Sequence, residues 1–320
     1  MRGGTNRAGV PAAAFAMPAG LAMRYDLPCD GLRELVSGYA TYAAQSRAEM
    51  INWFLPAPPM ICVLVDAGSV DITVRNHRSR ADRVSLYGPT SCAFRAATHG
   101  GIQVGIGLTA LGWIRLTASS AQGFHNRVLP LEQLLGDAPA AALRDMLDAL
   151  DQEEAIAPAL DAILTPLFAR EHRYDDIVRR FTELMLVDGV IEIADAAERL
   201  VLPGDALRRV AAQAFGMAPK LLLRRARFLR SFISLLRSRR PMAYELIDSS
   251  YYDASHFLRD SHLFLGTTPR RFMAQGTSFL TASLVARSAA IGAPAHGLHA
   301  STPPARERRP GAMWQDLDGA

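Results

Sequence analysis

The side chains best suited to chemistry in this 320-residue chain fall within Tyr251-Tyr252-Asp253-Ala254-Ser255-His256-Phe257-Leu258-Arg259-Asp260, followed by Gly266-Thr267-Thr268-Pro269. Wound as a helix, the stretch places Ala254, Ser255, Arg259 and His262 on one face and turns Phe257, Leu263 and Phe264 inward. That polar face has the chemistry of base recognition. Arginine pairs bidentately with guanine O6 and N7 or clamps a phosphate, serine bonds to either, and alanine touches a thymine methyl. Asp253 is a suitable N-cap, its carboxylate placed to accept from the amide of Ser255 or His256. Gly266 supplies a left-handed stop, and Pro269 opens the next segment. A short helix with an exposed polar start, preceded by another short helix, is how a helix-turn-helix offers its reading element to a DNA groove. Two roles stay open for His256, a base contact or a bond within its own turn. Arg259 reads as a DNA contact in preference to an ion pair with Asp260 or Glu245.

These residues resemble the second helix-turn-helix of the AraC/XylS family of bacterial transcription regulators, which carries Gly-Phe/Tyr-x-Asp-x-Ser-His-Phe-x-Arg and then Gly-x-Thr/Ser-Pro. The resemblance implies a second, similar module upstream. It is found in the amphipathic stretch Ile193 to Leu200, the turn Val201-Leu202-Pro203-Gly204 and then Asp205-Ala206-Leu207-Arg208-Arg209. Phe215-Gly216-Met217-Ala218-Pro219 completes the family's Leu-x-Arg and Phe-Gly-x-x-Pro spacing. By family position the first reading helix presents Asp205, Arg208 and Arg209, and the second presents Ala254, Ser255, His256 and Arg259, while Leu207, Phe215, Phe257 and Phe264 are core.

Several residues depart from the family pattern. Val201 and Ser250 stand where each turn usually has glycine, and a left-handed Val201 would be strained. Pro203 replaces a capping serine, Ala211 and Ser261 replace core aromatics, and Asp205 would repel phosphate. Leu263 is a candidate to refill the lost aromatic volume. The first module therefore reads as degraded, with the second carrying most of the specificity.

An element must hold the two modules together. Pro219 to Arg237 has no internal Gly or Pro, and Leu222, Ala226, Leu229, Phe232, Ile233 and Leu236 recur at helical spacing. Such a helix is roughly 28 Å long, close to the roughly 34 Å between successive major-groove faces. From Arg199 to Arg240 the only acid is Asp205, and the arginine-rich block reads as a phosphate-contacting surface. The other reading is a solvated helix face, because the chain uses arginine almost to the exclusion of lysine.

Upstream, Ile61 to Val65, Val70 to Val74, Arg83 to Tyr87 and Gln103 to Leu108 read as short strands, the last with glycines on one face where a neighbour approaches closely. They predict a small antiparallel barrel or sandwich, followed by helices at Leu131 to Leu135, Ala138 to Leu150 and Ile156 to Phe168. Leu55-Pro56, Gly88-Pro89 and Asn126-Arg127-Val128-Leu129-Pro130-Leu131-Glu132-Gln133-Leu134-Leu135-Gly136 resemble the cupin-like sensory domain of one subgroup of the same family. A metal cupin needs converging ligands, and His77, His99 and His125 are isolated, so no metal and no other cofactor is expected. Cys62 lies in an apolar run, and Cys92, after a turn, is the one candidate reactive thiol.

Length and composition set the remaining bounds. The chain is long enough for two domains, its net charge is +4, and no apolar run is long enough to span a bilayer. Three widely spaced cysteines point to a reducing compartment, hence the cytoplasm. Residues 1–23 read as a disordered leader, with Met17 or Met23 as alternative starts, and 276–320 as a disordered tail. The expected fold is α+β: a β-rich cupin-like barrel with following helices over 24–170, then an all-α domain over 171–275 with two helix-turn-helix modules joined by a long helix. The resemblance implies a DNA-binding transcription regulator, an activator or a repressor, and not an enzyme. Its expected partners are double-stranded DNA, RNA polymerase, a small effector and a second copy of the chain, with no membrane. The alternative is a small-molecule-binding or enzymatic barrel carrying a vestigial helix-turn-helix domain.

Overall fold

The structure is a computed structural model that describes residues 1–186, 192–238 and 244–292. Ten strands form its first part: β1 (Leu21–Asp26), β2 (Val36–Ala44), β3 (Met50–Phe54), β4 (Met60–Leu64), β5 (Val70–Val74), β6 (His77–Arg80), β7 (Val84–Tyr87), β8 (Phe94–Thr98), β9 (Gly101–Leu108) and β10 (Val128–Pro130). They make two antiparallel sheets, one in the order β1-β2-β9-β4-β7-β10 and one in the order β3-β8-β5-β6. The β4, β5, β7 and β9 segments match the alternating apolar patterns in the sequence. The strands β1, β2, β6 and β8 are not legible, because Ala, Thr or Arg breaks their alternation, and β3 and β10 are not legible because they are short and lack a clear alternation.

β9 lies between β2 and β4. A Cβ on Gly105 would stand 2.8 Å from the sulfur of Met60, and one on Gly107 would run into the Ser37 hydroxyl. The close approach expected of those glycines is therefore present.

The helices of this part are α1 (Ala110–Leu116), α2 (Glu132–Leu135), α3 (Asp137–Asp148) and α4 (Ile156–Leu167). The last three fall where the sequence predicts them. The remaining helices are α5 (Asp175–Leu186), α6 (Ile193–Leu200), α7 (Gly204–Phe215), α8 (Pro219–Arg237), α9 (Ala254–Leu265), α10 (Pro269–Met273) and α11 (Ser278–Ile291). Among the described residues no helix is long and apolar enough to cross a membrane.

One apolar core runs from the larger sheet through Trp113 and Leu160 to Phe181, Leu207 and Phe215. A second surrounds the far half of α8, where Phe228 stacks on Phe232, Phe257 and Phe264. Leu55 and Ala93 of the β part join that second core, and Trp53 meets Phe272 edge to face at 5.5 Å.

Both ends of the described chain correct the expectation of disorder. Phe15 is buried in a short 3-10 turn, the amide of Gly4 donates to the Met23 carbonyl (3.2 Å), and β1 already begins at Leu21. α11 occupies residues assigned to the tail, and its Ala286 and Ala290 pack with Phe15, Met23 and Tyr25. Small alanines let that helix lie close on β1, a fit that composition alone reads as low complexity. Residues 293–320 lie outside the described residues.

Candidate nucleic-acid interface

The turn between α6 and α7 is a Schellman motif. The amide of Leu202 donates to the Ala197 carbonyl (2.9 Å) and that of Val201 to the Glu198 carbonyl (3.0 Å). Val201 occupies the left-handed position (φ 55°, ψ 47°), so the missing glycine does leave a β-branched residue in a disfavoured conformation. Pro203 precedes α7 with no side-chain cap. Asp205, Arg208 and Arg209 are exposed, and Arg208 is tied to Asp205 within its own turn. The far end of α7 is covered: Gln213 donates to the Ala118 carbonyl (3.0 Å), and Ser120 donates to the Ala212 carbonyl (3.0 Å).

α9 begins as the sequence predicts. The Asp253 carboxylate accepts from the His256 amide at 2.8 Å, and Gly266 ends the helix at φ 77°. Ser255, His256 and Arg259 are exposed and Ala254 is half-buried, whereas Phe257 and Phe264 are wholly buried. Thr268 caps α10 and Pro269 starts it. Ser261, in place of an aromatic, is buried with its hydroxyl donating to the Thr267 carbonyl (2.8 Å). Phe228 of α8 stacks on Phe257 and Phe264 to either side of Ser261 in sequence, and Leu263, the expected refill, is only partly buried.

Asp260 does not pair with Arg259. It accepts from Arg224 (2.6 Å), Arg227 (3.1 Å) and the Tyr251 hydroxyl (2.8 Å), and the Arg227 guanidinium lies 4.0 Å from the Tyr251 ring centre. Burial and the Asp260 charge push the Tyr251 phenol far above its ordinary range. Nearby, Arg230 bonds Asp248 at 2.9 Å. Burial would raise the Asp248 carboxyl, but hydrogen bonds from Ser250 and the Arg230 charge bring it below its ordinary value.

These pairs correct the reading of the arginine-rich block as a phosphate surface for the middle of α8 only; Arg199, Arg208, Arg209, Lys220 and Arg237 remain exposed. Arg224, Arg225, Arg227 and Arg230 turn inward and hold α8 to its neighbours, and they are not a solvated face either. Arg239 and Arg240 lie outside the described residues. A signal existed: Asp260 falls on the stripe of Phe257 and Phe264, and Arg225 on that of Leu222, Leu229 and Phe232.

Arg225, missed by sequence reasoning, connects the two parts. It is 1% exposed, and its guanidinium donates to the Thr90 carbonyl at 2.6 Å. Burial alone pulls its pKa down to about 9. The loop it meets is pinned by Asn126, whose side chain accepts from the Ser91 amide (2.9 Å) and donates to the Ser91 hydroxyl (3.1 Å). The Asn126 amide donates to the Pro89 carbonyl and the Gly88 amide to that of Arg127, both at 2.9 Å. The Gly88-Pro89 turn and the Asn126-Arg127 pair, far apart in sequence, therefore close on each other. Gly216, which stops α7, sits against that same turn: a Cβ there would come 2.7 Å from Pro89 and 2.8 Å from the Ala121 carbonyl. The Ala93 amide donates to the Phe264 carbonyl at the end of α9 (2.6 Å). One loop, residues 88–93, thus touches the ends of both candidate reading helices and the helix joining them.

Cys92, the one candidate reactive thiol, is buried; Cys62 is buried too, as its apolar run predicts, and burial raises its thiol to about 11. Among the described residues no three His, Cys, Asp or Glu side chains are grouped closely enough to hold an ion. His125 is held below its ordinary pKa by burial and by the charges of Arg225 and Arg75.

No known protein family and no curated protein matches the chain. Among solved structures it is similar to a crystal structure of apo ToxT from Vibrio cholerae, at 11% identity over 81% of this chain and 98% of that one, with a TM-score of 0.40. A second ToxT structure gives 14% identity over 74% and 97%, also with a TM-score of 0.40. The AraC-like transcriptional activator CuxR gives 11% over 67% and 86%, with a TM-score of 0.31. Overlap this loose transfers no role.

Proposed function

We propose that the chain is a DNA-binding transcription regulator of the AraC/XylS type that reads duplex DNA chiefly through α9. The observation that carries this reading is the start of that helix. Asp253 caps it, Phe257 and Phe264 close the core behind it, and Ser255, His256 and Arg259 stand in solvent. Among the described residues Arg259 makes no ion pair, because its sequence neighbour Asp260 is committed to Arg224 and Arg227. An exposed helix start with an uncommitted arginine is what major-groove recognition requires. α7 would contribute less, since Arg208 is already bonded to Asp205.

In this reading residues 24–170 form the cupin-like sensory and dimerisation domain and 171–275 the DNA-binding domain, acting in the cytoplasm as an activator with RNA polymerase. A small effector would use the cleft of about 350 Å³ between the β part, α5 and α11, where Leu27, Val36, Leu111 and Ile291 share the wall with Arg33, Glu34, Arg179, Glu183 and Arg287. Its occupancy would shift the population of DNA-competent geometry. The test is salt-dependent binding to promoter fragments from the chain's own or neighbouring genes. Arg259→Ala should weaken specific binding by about 1–3 kcal/mol; an unchanged affinity and footprint would defeat the assignment.

A further inference from the structure

A cleft of about 710 Å³ opens beside α7, between that helix and the segment joining α4 to α5. Arg170 and Arg173 enter it from the joining segment and Arg209 from α7, with Glu171 the only acid on its wall. Elsewhere the arginines are mostly spoken for: Arg24 by Asp26, Arg115 by Asp175, Arg224 by Asp260 and Arg230 by Asp248. Among the described residues these three have no bonded carboxylate; Arg173 lies over the Tyr174 ring at 4.7 Å, and Arg170 and Arg209 point into solvent. Three like charges drawn from two separate chain segments into one open cleft repel one another unless an anion lies between them. Arg209, on its wall, lies one turn along α7 from the exposed Asp205.

We propose that Arg170, Arg173 and Arg209 form a clamp for the phosphate backbone of DNA beside the first helix-turn-helix. The segment between the two halves is thereby part of the nucleic-acid surface. The proposal rests on the regulator reading above. The clamp carries no base information; it adds sequence-independent, salt-sensitive affinity and sets the register of α7 on the duplex. It also offers α7 a role that does not need Arg208, the guanidinium locked to Asp205.

The experiment uses the full chain and a duplex that the wild type binds, with affinity followed by fluorescence anisotropy over a range of about 50 to 300 mM salt. In the double variant Arg170→Ala/Arg173→Ala, the slope of log affinity against log salt should fall by about two, with ~10-fold weaker binding near physiological salt. The ranking of base-substituted duplexes should stay unchanged. Both side chains are exposed, so the variant should fold. The control Arg47→Ala/Arg95→Ala, two exposed arginines of the β part, should match the wild type. An unaltered slope in a wild type that binds DNA overturns the clamp and leaves the regulator reading standing. A changed ranking of duplexes also overturns it, since the residues would then be reading bases. Tight binding of inorganic tripolyphosphate that the double variant loses, with the duplex slope unaltered, overturns it in favour of a small-anion site. Failure of the wild type to bind any duplex sinks both readings together.

Discussion

Arg225 of α8 donates to the carbonyl of Thr90 at 2.6 Å and, among the described residues, bonds no carboxylate, so a buried charge joins the helix between the two modules to the loop of the β part. Its Nε has no partner, and burial holds the guanidinium at about 9, still protonated at neutral pH. A buried, unneutralised charge is costly, and replacing such groups with apolar ones of similar shape is often neutral or stabilising. Arg225→Met should raise stability by about 1–2 kcal/mol in chemical denaturation. A loss of comparable size would show that the Thr90 bond outweighs the desolvation.

Val201 is 81% exposed, so no packing compensates its left-handed backbone. The conformation costs a non-glycine residue about 1–2 kcal/mol, partly offset by the chain entropy that glycine would lose. Val201→Gly should therefore stabilise the protein by about 1 kcal/mol, seen as a higher denaturation midpoint at unchanged slope.

Arg259 and Asp260 are adjacent in sequence and opposite in role. Arg259→Ala should change stability by less than about 0.5 kcal/mol, because the side chain is exposed. Asp260→Asn strands two partly buried guanidinium groups and should cost about 3–5 kcal/mol. Parallel denaturation curves of the two variants check this. Equal losses would mean that Arg259 holds the fold and is not free for a partner.

The Asp248 carboxyl is held low in the folded protein, so it binds its proton less readily there than in the unfolded chain. Its contribution is fully present above the ordinary aspartate range and is lost as pH falls through the folded value. Asp248→Asn should flatten the decline in stability below about pH 4. An acid limb identical to that of the wild type would assign the decline to other carboxylates.

Thiol accessibility gives a test of the β core. Cys29 is exposed, whereas Cys62 and Cys92 are buried and the Cys62 thiol is raised to about 11. A thiol reagent at neutral pH should titrate one group in the native protein and three after denaturation. Rapid native reaction of Cys92 would mean that the 88–93 loop opens.

What was legible in the sequence was local. The cap at Asp253, the stop at Gly266, the buried Leu207, Phe215, Phe257 and Phe264, the single long helix from Pro219 and the helices after the β part follow from propensity, turn chemistry and periodicity. Those signals act within a few residues, and the structure honours them. The direction of the α8 arginines was not local. A stripe of arginine looks the same whether it meets phosphate, water or a buried aspartate, and only the placement of Asp248 and Asp260 on neighbouring segments turned it inward. Likewise Ala286 and Ala290 carry no hydrophobic signal of their own until β1 lies against them. Tertiary structure also decided that the 88–93 loop grips Gly216, Arg225 and Phe264 at once, and that Arg170 and Arg173 share a cleft with Arg209. Residues brought together across long stretches of chain meet only once the core has closed, so no spacing along the sequence records them.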